Sequence, residues 1–283
     1  MNILSIDLED WFHLLAHEET ALPQQWEKFE SRIERNTDWL LEQLSLSNQR
    51  ATFFCLGWIA QRNRNLVKRI IDSGHEIGCH SMNHRLVYEQ TPAEFKADLF
   101  ACIRLLQDIS GKEINTYRAP GFSVSEQNKW VFEILTECGI EIDCSVFPVA
   151  RNHGGYQKFP TKKPCIISIN GMSLKEFPMS ISSFGPQKYV FSGGGYFRLL
   201  QYSFIKYQMN RTDYVMTYFH PRDFDPAQPV ISTLPLKRKF MSYVGLKSSK
   251  EKLIKLLADF RFLNIREAVD QIDWNMVPIV VLD

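Results

Sequence analysis

Several things are scarce in this 283-residue chain, and each absence narrows the reading. Its six cysteines (Cys55, Cys79, Cys102, Cys138, Cys144 and Cys165) form no CxxC pair. Most sit among apolar neighbours, so they read as reduced core thiols and not as a disulfide framework. No run of about 18 apolar residues occurs, and no integral membrane segment is expected. Charge of one sign is missing too: 33 basic against 32 acidic residues give a net +1. That interleaved balance leaves no footprint for nucleic acid. The one basic cluster, LKRKF at residues 236–240, reads as a solvated face. The opening MNILSIDLEDWF carries no basic leader and resembles a strand, so no signal peptide is expected and the compartment reads as cytoplasmic.

What is present is ordinary for a soluble globular chain, with 45% hydrophobic and 23% charged residues. The length suits one large α/β domain or two modest ones. Residues 2–7 read as a short buried strand and 23–46 as a long amphipathic helix. A strand from Ala51, a helix over 59–72 and a strand over 75–79 follow. Thr91 as N-cap with Pro92 at the first turn opens a helix that runs to Ser110. Strands at 115–117 and 140–144 flank a helix over 126–138. Strand–helix units repeated in this way indicate a parallel sheet, barrel or open. From about Phe147 to Gly195, proline and glycine (Gly185 and Pro186 among them) mark a loop-rich insertion with short strands. Helical spacing returns over 196–207 and 248–260, with a strand over 213–219 between.

The residues able to do chemistry gather at predicted strand ends. SIDLED places Asp7, Glu9 and Asp10 at the carboxyl end of the first strand, where parallel α/β folds assemble their sites. Alternation puts Asp7 and Glu9 on one face, with Leu8 pointing away; helix capping is the plainer use of such acids. HSMNH sets His80 and His84 four apart, a spacing that lets two imidazoles on one helical turn grip a cation. Ser81 between them either holds a ring or backbone group or caps the helix. Two histidines and a carboxylate leave open positions on zinc or a similar ion. YRAPGF supplies Arg118, which can pair with a carboxylate or sit on the surface. EIDCSVFP supplies Asp143. MTYFHP supplies His220, a candidate general acid or a structural histidine before a proline turn.

In this order the motifs resemble the polysaccharide deacetylase superfamily, in a branch whose first motif reads FDxE. SIDLEDWF resembles the first motif, HSMNH the H(S/T)xxH motif, RAPGF the third, DCSVFP the fourth and TYFHP the fifth. EFPMS and SGGGYFRL resemble a subgroup found with exopolysaccharide biosynthesis genes. The resemblance covers nearly the whole chain. It implies a distorted (β/α) barrel as one catalytic domain over residues 1–283, with 147–195 inserted before the last strands. It makes Asp7 the base, oriented by Arg118, and His220 the acid, supported by Asp143. It makes His80 and His84 ligands of one divalent ion, zinc first, with cobalt or nickel as alternatives.

Two departures stand out. Leu8 replaces the family's second aspartate, so Glu9 is read as the third ligand and Asp10 as its reserve. Gly121 stands where many members have tyrosine, which changes the wall offered to a sugar.

The implied reaction is removal of N-acetyl groups from a sugar or glycan precursor, which would be the chain's partner molecule. A cyclic amide or imide hydrolase using the same metal site, and an inactive glycan-binding scaffold, are the alternatives. Aromatics of the insertion (Tyr156, Phe159, Phe177, Phe184, Tyr189, Phe191, Tyr196, Phe197) either stack on sugar rings or pack in the core. Oligomeric state is not legible.

Overall fold

Capping chemistry fixes where the central helix begins and ends. The Thr91 hydroxyl accepts from the Glu94 N–H at 3.3 Å, and the Glu94 carboxylate accepts from the Thr91 N–H at 2.8 Å. Pro92 needs no hydrogen-bond partner at the first position, and Gly111 closes the helix Pro92–Ser110 at a left-handed φ of 64°. This computed structural model describes residues 1–151, 153–184 and 187–282. Gly185, Pro186 and the side chain of Phe184 lie outside the described residues.

Strands Ser5–Leu8, Thr52–Cys55 and Glu76–Cys79 pair in parallel, with Asp7 opposite Phe54 and Phe54 opposite Gly78. Helices cover these strands, which is why they read as short, nearly continuous apolar runs. The sheet goes on through Thr116–Tyr117, Ile142–Asp143, Met172–Glu176, Cys165–Ile169 and Ile279–Val281. Beyond Ser5–Leu8, the pair Asn2–Ile3 and Val215–Met216 and parallel bridges at Ile6–Phe219 and Gly193–Tyr218 extend the arc. The fold is α/β, and among the described residues no ladder joins the two ends of this arc. All six cysteines are free, five of them buried.

Four expectations need correction. The stretch 147–195 is not simply an insertion. Its hairpin, Cys165–Ile169 with Met172–Glu176, belongs to the main sheet, turning at Asn170 and Gly171 with positive φ. The helix expected over 23–46 is two, Pro23–Trp26 and Ile33–Leu46. Asp10 reaches across to accept from the N–H groups of Arg32 and Ile33 at 2.9 and 3.2 Å, and so starts the second. The helix over 196–207 likewise breaks, into Gly194–Leu199 and Tyr202–Arg211. The strand over 213–219 pairs as a ladder only at Val215–Met216. Tyr156, Phe159, Phe177, Phe191 and Phe197 are core residues, while Tyr196 is exposed.

Candidate active site

Parallel pairing delivers the strand ends to one edge, and six of the singled-out residues meet there. Asp7 Oδ1 accepts from Arg118 Nη1 at 2.7 Å, while its Oδ2 lies 3.9 Å from His220 Nε2. Arg118 is wholly buried. Its Nε donates to the Cys144 carbonyl at 3.3 Å, and its guanidinium lies 4.1 Å above the Phe54 ring. A planar fork held on three sides fixes one oxygen of Asp7 and leaves the other facing His220.

Glu9 is the focus of the second group. Its Oε1 lies 2.9 Å from His80 Nε2 and 2.8 Å from His84 Nε2. Burial pushes the Glu9 carboxyl up, but His84 and His80 outweigh it and hold it well below the usual carboxylate range. His80 Nδ1 faces the Arg118 carbonyl at 2.8 Å. A carbonyl only accepts, so Nδ1 carries a proton and Nε2 is the ring atom turned to Glu9. The three donor atoms lie within 4.8 Å of one another. Two imidazoles and one carboxylate fit a divalent ion with positions left open, and the carbonyl behind His80 is the support such ligands use.

The two histidines do not meet across a helical turn, as the spacing had implied. Residues 80–86 are irregular, with Ser81 and His84 at φ values of 63° and 55°. The Ser81 hydroxyl accepts from the His84 N–H at 2.8 Å, so it holds backbone. Asp98, in the second turn of its helix, accepts from the N–H groups of Met82 and Asn83 at 2.7 and 3.2 Å. Side-chain oxygens bonded to this backbone, and not helix periodicity, set the angle between the rings.

Asp10 and Asp143 are the residues the structure places elsewhere. Asp10 spends its oxygens on Trp11, Ser31, Arg32 and Ile33, so it braces a helix start and does not face the histidines. Asp143 Oδ1 accepts from the Ser145 hydroxyl at 2.5 Å, and the same hydroxyl accepts from the Ala119 N–H at 2.8 Å. Burial pushes the Asp143 carboxyl up, and burial with Asp143 beside it drives Glu176 well above its usual range. This acid pair props the turn that carries Arg118.

The support expected of Asp143 comes from Asp223. His220 Nδ1 lies 3.0 Å from Asp223 Oδ2, which also accepts from the His220 N–H at 2.9 Å. Arg198 flanks the other oxygen of Asp223 at 3.1 Å. Burial pulls the His220 imidazole down, yet Asp223, Glu9 and Asp7 lift it to about 9. Burial would raise Asp223, but Arg198 and His220 bring it to about 2. The spacing in HPRD, an acid three residues after a histidine, was the signal for this pair. His13 was also missed. It is buried, its Nδ1 accepts from the Asp10 N–H at 2.8 Å, and its ring lies 6.2 Å from that of His84.

Gly121 sits at φ 61°, and a Cβ there would come within 2.6 Å of Leu15 Cδ1 and 3.0 Å of Leu86 Cδ2. Backbone conformation and crowding both select glycine at this point of RAPGF. His220, with 22% of its side chain exposed, is the most open of the six converging residues; the others are buried.

Fold and site together define an α/β protein with a His–His–carboxylate centre beside an arginine-held aspartate. A polysaccharide deacetylase family model matches residues 26–142, and a domain of unknown function, DUF3473, matches residues 144–270. Residues 26–142 thus carry a polysaccharide deacetylase domain. It is 33% identical over 95 residues to a peptidoglycan-N-acetylglucosamine deacetylase of Bacillus cereus, covering 33% of this chain and 34% of that one. A peptidoglycan deacetylase of Helicobacter pylori is 29% identical over 96 residues, 34% of this chain and 32% of its own. These matches span about a third of the relatives' length. A crystal structure of a Mycobacterium smegmatis protein assigned to the polysaccharide deacetylases superposes with a TM-score of 0.68 at 18% identity, over 99% of this chain and 92% of that one. A carbohydrate esterase family 4 pseudoenzyme from Bacillus anthracis gives 0.53 at 13% identity, over 100% and 69%. At these identities the structures speak for the fold alone.

Proposed function

We propose that this protein is a metal-dependent hydrolase that removes N-acetyl groups from a sugar within a glycan or glycan precursor. The observation that carries the reading is the meeting, at one sheet edge, of Glu9 with His80 and His84, Asp7 with Arg118, and His220 with Asp223. The relatives it partly matches are named for the same chemistry. Glu9, His80 and His84 would hold the ion, zinc first, with cobalt or nickel suited to the same donors. A bound ion of this kind polarises a carbonyl oxygen and makes water a nucleophile near neutral pH.

The chain's own groups supply the rest. Asp7 Oδ2, left free by Arg118, takes a proton from the attacking water. The water oxygen adds to the acetamide carbon. The Arg118 and Ala119 N–H groups are already given to the Cys79 carbonyl and the Ser145 hydroxyl and Pro120 has none, so the Gly121 N–H is the donor of turn 118–121 assigned to the developing negative charge. His220, kept protonated by Asp223, gives its Nε2 proton to the nitrogen as the C–N bond breaks, leaving acetate and an amino sugar. We place this reaction in surface or exopolysaccharide biosynthesis in the cytoplasm, for which the six free thiols are a point of support. Cell fractionation tests that setting.

The test of activity is acetate release from N-acetylglucosamine oligomers and peptidoglycan fragments by zinc- or cobalt-loaded protein, run beside ring opening of a cyclic imide. Acetate from the glycans is the expected result. Ring opening without acetate release would move the same site to cyclic amides, and neither activity, with metal bound, would contradict the enzyme reading.

A further inference from the structure

The helix Leu236–Tyr243 turns its apolar side outward. None of its residues is buried. Leu236, 88% exposed, and Phe240, 56% exposed, stand one turn apart on one face, while Tyr243 packs back on the core and accepts from the Ile231 N–H. Lys237 and Lys239 flank the exposed pair on its two sides, and the helix contains no acid. Lys247 and Lys250 follow in the next helix. Arg238 points the opposite way and donates to the carbonyls of Leu15 and Ala16, at 2.7 Å for Ala16. The helix is thus pinned by its back and held with leucine and phenylalanine between lysines. A helix packed on a globular core normally shows the reverse arrangement.

We propose that this face lies on an anionic phospholipid bilayer, with Leu236 and Phe240 in the headgroup–acyl boundary and Lys237 and Lys239 against the lipid phosphates. Charge complementarity selects this occupant, since lysine is depleted at the cores of protein–protein interfaces and favoured at anionic membrane surfaces. No helix among the described residues is long and apolar enough to cross a membrane, so the contact is peripheral. It is linked to the site: Leu15, whose carbonyl Arg238 holds, also crowds Gly121 in the turn after Arg118.

Vesicle co-sedimentation of the metal-loaded protein tests this with no glycan present, so its failure leaves the deacetylase reading standing. Wild-type protein is expected to sediment with phosphatidylglycerol-containing vesicles, not with pure phosphatidylcholine, and less at high salt. K237A/K239A should weaken binding by about thirtyfold, from about 1 kcal/mol per lysine. L236S/F240S should weaken it at least about tenfold while metal content stays at the wild-type value. No binding by wild type, or binding that neither double variant reduces, overturns the proposal. A dimer that L236S/F240S converts to monomer, without lipid binding, would assign the face to a second copy of the chain instead.

Discussion

Residues 1–142 and the remainder of the chain supply their parts of the site by different means. In the first part each functional side chain stands within a few residues of the strand that positions it. Asp7 lies within Ser5–Leu8 and Glu9 follows it; His80 follows Glu76–Cys79, and Arg118 follows Thr116–Tyr117. In the second part His220 is placed by partners far away in sequence. The Asp7 N–H donates to the Phe219 carbonyl at 2.7 Å, the Ser5 N–H to Thr217 Oγ1 at 3.1 Å, and Arg198 comes from a separate helix to hold Asp223. The two family models divide the chain near the same point. The lesson is that the Glu9–His80–His84 side is encoded locally, whereas the His220–Asp223 side depends on long-range contacts. Substitutions should therefore separate the two sides.

The largest expected effect is at Asp7, the proposed base. Asp7→Asn should lower kcat by about 10²–10⁴-fold with metal content unchanged, as measured by steady-state acetate release and metal analysis. Loss of metal in that variant would merge Asp7 with the ligand group. On the His220–Asp223 side, Asp223→Asn should cost at least about tenfold and bring the alkaline limb of the rate profile down from about 9, because His220 loses the strongest of the groups that raise it. Asp143→Asn, although nearer the family motif, should leave that limb in place. A pH profile of both variants decides which acid serves His220.

Stability of the metal-free protein should follow the same pair. His220 is raised from its ordinary 6.5 to about 9, so its contribution is complete below about 6.5 and is lost as pH rises through about 9. Asp223 is lowered from 3.8 to about 2, so its contribution is present above about 3.8 and is lost as pH falls through about 2. Urea midpoints across that range should form a plateau between those limits and decline on both sides, and the alkaline decline should vanish in His220→Ala. The smallest effect belongs to Gly121→Ala. A left-handed φ and a Cβ within 2.6 Å of Leu15 should cost about 1–2 kcal/mol, read as a lower thermal midpoint.

The contrast between the two parts also explains what could be read from the sequence. The strand ends at Cys79 and Tyr117 were legible, and those at Leu8 and Asp143 to within a residue, because apolar runs, caps and glycine stops are local signals. The role of Asp10 was not, since its carboxylate crosses to a helix start more than twenty residues away. Nor was the backbone around His84, where Ser81 and Asp98 override the helical reading of an i, i+4 pair. The hairpin of Cys165–Ile169 and Met172–Glu176 looked like insertion because its partner strand, Ile142–Asp143, has only two residues in the ladder. The acid pair of Asp143 and Glu176 depends on that same junction.

The account rests on Glu9 taking the ligand position that Leu8 cannot fill. The direct measurement is metal stoichiometry in wild-type, Glu9→Ala and Asp10→Ala proteins, loaded with zinc and dialysed together. The geometry predicts about one ion per chain in wild type and in Asp10→Ala, with Asp10→Ala losing only a helix brace, and loss of the ion in Glu9→Ala. An ion retained by Glu9→Ala and lost from Asp10→Ala would contradict it.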